Sequence, residues 1–83
     1  MSGLRRRYEG RPLSSPEVEV LSAAAEGLSA DETAARLVKS PHTVVRQRRI
    51  IQAKLGARNL VHAVALAYER RLLPTRPLRD QVG

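Results

Sequence analysis

Cysteine, tryptophan and phenylalanine are missing from this 83-residue chain, which has only two tyrosines, Tyr8 and Tyr68, and two histidines, His42 and His62. Without cysteine there is no disulfide scaffold, zinc finger or thiol chemistry. Two histidines are too few for a three-histidine metal site. So few rings argue against modules that bind single-stranded nucleic acid by stacking bases on aromatic side chains. No apolar run approaches the ~20 residues that span a bilayer, and the N-terminus lacks the apolar core of a signal peptide. No nucleophile–base pair, metal-ligand set or phosphate-cradling glycine loop is present, so an enzyme is not expected and neither is a cofactor. What is left is a basic, aliphatic- and alanine-rich chain, expected to be cytoplasmic, with no membrane partner and room for one small domain.

The charge is unevenly spread. The net +7 rests on 15 bases against 8 acids. Residues 13–35 carry five acids and no base, whereas residues 36–58 carry seven bases and no acid. A surface tuned for solubility mixes its signs, so a cationic block of this size reads as a footprint for a polyanion. The alternative is an arginine-rich solvated helix face.

Start and stop signals bracket four helices, at about 15–26, 30–38, 41–55 and 60–73, and no period-2 stretch argues for a strand. Ser14 with Glu17, and Ser29 with Glu32, have the spacing of capping boxes. Gly27 and Gly56 suit helix ends that need positive φ. Ser40 followed by Pro41 opens the third helix, and Asn59 opens the fourth, which Pro74 stops. Two short helices joined by a tight turn, then a helix loaded with base, give an all-α, four-helix helix-turn-helix domain over residues 13–73. Residues 1–12 read as a basic N-terminal arm and 74–83 as a C-terminal tail, both flexible.

Within the third helix, Val44, Ile51 and Leu55 form a buried stripe, which leaves His42, Val45, Arg46, Arg49 and Ala53 on the other side. A guanidinium can donate two hydrogen bonds to guanine O6 and N7, so Arg46 and Arg49 are the base-edge candidates. Val45 has only a thymine methyl or a sugar edge to meet. His42 and Thr43 in the first turn, and Arg48, Lys54 and Arg58 further along, are placed for phosphates. Arg48 has the alternative of packing its stem across a helix pair with its head in water, and Lys54 and Arg58 that of compensating a helix dipole. Arg5, Arg6 and Arg7 in the arm follow phosphates or enter a minor groove, or else serve as a solubilising end.

The run Leu13-Ser14-Ser15-Pro16-Glu17-Val18-Glu19-Val20-Leu21, then Gly27-Leu28-Ser29, Glu32, Ala34, Leu37, Ser40, Thr43-Val44, Ile51, Lys54-Leu55-Gly56, Ala63-Val64, Ala67 and Leu72-Leu73, resembles the LuxR-type (GerE-like) helix-turn-helix family of bacterial transcription regulators. The resemblance covers residues 13–73 and implies a third helix in the major groove, backbone contacts from Thr43 and Lys54, two half-sites, and dimerisation through the fourth helix. The chain departs from the family pattern at Asp31, Lys39, Val45, Gln47, Leu60 and Arg71, the last where the family often has glycine. With only about a dozen residues before the domain, no sensor domain is expected, and regulation falls to expression level or a partner.

The fourth helix carries two apolar stripes. Leu60, Ala63, Val64 and Ala67 serve the core, while Val61, Ala65, Tyr68 and Leu72 are free to meet a second copy. The alternative is that the tail folds back over Tyr68 and Leu72 through Leu78. The expected function is a stand-alone, dimeric, sequence-specific double-stranded DNA binder that regulates transcription. A protein-interaction module pairing with another regulator, a sigma factor or RNA polymerase is the alternative, favoured by Asp31 and Val45.

Overall fold

The computed structural model describes residues 3–74, and within them it is entirely helical. Five helices follow in order: α1 (Gly3–Tyr8), α2 (Ser15–Ala25), α3 (Ala30–Leu37), α4 (Pro41–Leu55) and α5 (Leu60–Glu69). The four expected from the sequence are α2 to α5. The residues after Pro74, Leu78 among them, lie outside the described residues.

Local chemistry explains every start from α2 onward. The Ser14 Oγ accepts from the Glu17 N–H at 3.3 Å while the Ser14 N–H donates to Glu17 Oε1 at 2.8 Å. Ser29 and Glu32 repeat this exchange at 3.1 and 2.8 Å. Each capping box thus satisfies two backbone donors that a bare helix end would leave open. Ser40 Oγ accepts from the Thr43 N–H, and Asn59 Oδ1 from the His62 N–H. The His62 Nδ1 in turn accepts the Arg58 N–H at 3.0 Å, giving α5 a second cap.

The four ends also share one geometry, a left-handed residue followed by a backbone bond that reaches back five residues. Leu28 N donates to Ala23 O, Lys39 N to Ala34 O, Ala57 N to Gln52 O, and Leu72 N to Ala67 O. The left-handed residues are Gly27, Val38, Gly56 and Arg71. Two of them are therefore not glycine and hold φ of 56° and 59° at a steric cost. At Arg71 the turn corrects the sequence reading: α5 ends at Glu69 rather than Leu73, and Pro74 is not what stops it. The reversal folds Leu73 back into the core.

That core is Val20, Leu21, Ala34, Val44, Ile51, Leu55, Ala63, Ala67 and Leu73, with Leu37, Leu60 and Val64 packed partly buried against it. On α2 the buried alanine is Ala23, while Ala24 is half-buried. α4 lies at the centre of the domain, in contact with α2, α3 and α5 on its core side and with α1 as well. Among the described residues no helix is long and apolar enough to cross a membrane.

The N-terminal arm is the main correction to the expected architecture. Residues 3–8 are helical, and α1 packs against α4. Arg5 Nη2 donates to the Gly56 carbonyl at 3.3 Å, and the Gly10 N–H donates to the Lys54 carbonyl at 2.9 Å. α1 buries no residue fully, yet it covers Ala53, expected on the open side of α4 and only 7% exposed.

Candidate nucleic-acid interface

α4 is rigidly presented. Its first turn is capped by Ser40, whose Oγ lies 2.9 Å from Thr43 Oγ1, and its inner stripe Val44–Ile51–Leu55 is buried among α2, α3 and α5. The preceding turn is held by the Lys39 ammonium donating to Gln47 Oε1 at 3.0 Å. A helix so anchored can offer its opposite face with little motion.

His42, Thr43, Val45, Arg46 and Arg49 are on the outer side of α4, and Arg58 lies just beyond its end. His42, Val45, Arg46 and Arg49 line one crevice together, with Leu4 of α1 on its far side. Among the described residues, the ion pairs are Arg5–Glu9, Arg36–Glu26 and Lys54–Glu17. None involves Arg46, Arg49 or Arg58, whose charges remain uncompensated. At the start of α4 Pro41 has no N–H and those of Thr43 and Val44 are taken by Ser40, so the His42 N–H and the helix dipole supply the partial positive charge there.

Two of the expected phosphate contacts are turned inward. Lys54 Nζ lies 2.7 Å from Glu17 Oε1 and 3.0 Å from the Pro12 carbonyl, with side chains 11% and 10% exposed for Lys54 and Glu17. The Tyr8 ring covers it, its centroid 5.9 Å from the nitrogen. An ammonium has three donors, and two of them are engaged internally here, so Lys54 ties α4 to the start of α2. Burial, the strongest single influence on Glu17, disfavours its charge. The hydrogen bond from Lys54, the Ser14 N–H and the Lys54 charge together outweigh it and hold the carboxyl below its ordinary range.

Arg48 is the second correction. Its Nη2 donates to the Leu28 carbonyl at 3.0 Å and its Nε is buried without a partner. It fastens α4 to the α2–α3 turn, so the stem packs across the helices as the sequence allowed, but the head is bonded inside rather than left in water. Thr33 was missed altogether: it is fully buried and its Oγ1 is unpartnered. A threonine four positions into a capped helix carries no signal that separates burial from exposure.

On α5, Val61, Ala65 and Tyr68 are exposed, Val61 at 80%. Leu72 lies past the Arg71 reversal, so it leaves the expected stripe. It lines a crevice with Leu13, Val18 and Leu55 instead.

Comparison with known proteins agrees with this geometry. The family model described as bacterial regulatory proteins, luxR family, matches residues 11–67. No curated protein matches the chain.

Proposed function

Since the chain belongs to the luxR family of bacterial regulatory proteins, we propose that it is a sequence-specific double-stranded DNA-binding regulator of transcription that reads bases with α4. The observation that carries this reading is the pair Arg46 and Arg49, set together on the outer face of a capped helix with no carboxylate in ion-pair reach among the described residues. They belong to a 23-residue stretch, 36–58, that holds seven bases and no acid. Arg46 and Arg49 take guanine edges and Val45 a thymine methyl. His42, Thr43 and Arg58 take phosphates, helped by the His42 N–H and the helix dipole. Arg48 and Lys54 support the fold instead.

One domain of this size buries only about 600–1,000 Å² on DNA, so useful affinity calls for two copies. The exposed apolar face of α5 at Val61, Ala65 and Tyr68 is where a second copy binds, giving a homodimer on two half-sites. Such a regulator works in the bacterial cytoplasm, or in the host cytoplasm if a phage encodes it.

Titrating a random-sequence duplex against salt tests the proposal. A linear fall of log affinity with log salt, with a slope of about −0.9 per phosphate contact, supports it. Absence of binding at about 50 mM salt refutes it and leaves the interaction with a regulator, sigma factor or polymerase as the function.

A further inference from the structure

We propose that α1 is a strap closed over the base-reading face of α4, and that this face meets DNA only after α1 has swung away. The inference rests on α4 being the reading helix. It goes beyond that reading because residues 3–8 precede the matched region, which begins at residue 11.

A major groove is ~12 Å wide and admits one helix of about 10–12 Å diameter. Helices in contact lie ~8–10 Å apart between axes, so a packed pair is about 20 Å across. α1 packs on α4, and its Leu4 shares a crevice with His42, Val45, Arg46 and Arg49. A second crevice joins Leu4 and Arg5 to Arg49, Gln52, Ala53 and Ala57. The strap therefore runs beside the guanidinium groups that would have to enter the groove. Both helices do not fit.

What holds the strap is weak enough to yield. α1 has six residues, none of them fully buried, and a helix that short does not persist unsupported. Its tethers include the 3.3 Å bond from Arg5 to the Gly56 carbonyl, the 2.9 Å bond from Gly10 to the Lys54 carbonyl, the Leu4 contact, and Tyr8 over Lys54. Against them stands like charge: Arg6 and Arg7, outside the Arg5–Glu9 ion pair, lie on the helix that flanks Arg46 and Arg49. Duplex phosphates compensate both sets of arginines once the helices part, so DNA itself favours the open form.

Affinity of the full chain and of a Leu4→Gln variant for one labelled random-sequence duplex, by fluorescence anisotropy at low salt, decides the matter. Glutamine removes the apolar anchor without changing charge. A strap closed nine-tenths of the time lowers apparent affinity about tenfold, so Leu4→Gln is expected to bind up to about tenfold more tightly. A chain beginning at residue 11 is the second variant, to be used if Leu4→Gln does not melt cooperatively. It loses Arg5, Arg6, Arg7 and Glu9, a net +2, so tighter binding by it runs against electrostatics and again supports the strap. Equal or weaker binding by the folded variant overturns the strap while leaving α4 as the reader. No binding by any form overturns the DNA reading itself.

Discussion

Replacing Lys54 with methionine tests the inward assignment of this lysine most directly. The substitution keeps most of the stem and removes the charge. In the native protein Nζ lies 2.7 Å from Glu17 Oε1, and the two side chains are only 11% and 10% exposed. The pair's net worth is modest, because attraction at this distance is largely offset by the desolvation of both ions. Removing one partner is different: it strands a buried carboxylate, and such losses run to about 3–5 kcal/mol. The slight exposure here lowers the expectation to about 2–3 kcal/mol. A chain of this length has about 4–12 kcal/mol in total, so the midpoint should fall by about 10–20 °C in a circular-dichroism melt. Lys54→Met combined with Glu17→Gln should regain part of this, because the glutamine amide oxygen still accepts the Ser14 N–H and no charge is stranded.

The pH dependence should weaken as well. Native Glu17 has its carboxyl lowered on folding from the ordinary 4.5, so its stabilisation is present above that value and fades as the pH falls through the folded one. In Lys54→Met both lowering influences of lysine are gone while burial and the two Ser14 hydrogen bonds remain, so the variant should lose less stability on acidification than the native protein does. A melt within about 0.5 kcal/mol of the native protein, with the same acid limb, would refute the inward assignment. A DNA salt slope reduced by about 0.9 in that same variant would return Lys54 to the phosphates.

Other outcomes follow from the same geometry. Val38 holds φ 56° while 90% exposed, so Val38→Gly relieves strain without losing packing and should raise the urea midpoint by about 1 kcal/mol in stability. Arg71→Gly should act in the same direction; no gain at either site would show that the left-handed turns are not strained. Arg46→Ala and Arg49→Ala should each cost about 1–3 kcal/mol in binding to a duplex selected from a random pool, and each should relax preference at one base-pair step. A uniform loss across sequences would make them phosphate contacts. Val61→Asp should hold the protein monomeric in analytical ultracentrifugation at concentrations where the native chain pairs, and a native chain that stays monomeric throughout would remove the α5 interface.

The features legible in the sequence are those whose partners lie within one helical turn. Ser14 finds Glu17, Ser29 finds Glu32, and Asn59 finds the His62 N–H, each three residues away. Gly27 and Gly56 advertise left-handed ends because glycine alone adopts them freely. The stripe Val44–Ile51–Leu55 is a matter of 3.6-residue period, and it correctly leaves Arg46 and Arg49 outside. Val38 and Arg71 occupy the same kind of position with side chains that give no sign of it. Arg71 stood out only as a departure from the family's glycine.

The fate of a long cationic side chain is a different matter, since periodicity assigns it a direction but not a destination. Lys54 and Arg48 carry the same charge as Arg46 and Arg49. Their partners are 37 and 20 residues away, at Glu17 and at the Leu28 carbonyl. α1 likewise looked like a loose basic end, because six residues without a period cannot form a stable helix alone. Its helicity depends on the surface of α4. Caps, helix count from α2 onward and the outward face of α4 were thus determined locally, within the chain's own short-range chemistry. Which cationic side chains stay unpaired, and what lies over them, was decided only when distant segments were brought into contact, since burial and pairing are properties of the packed structure.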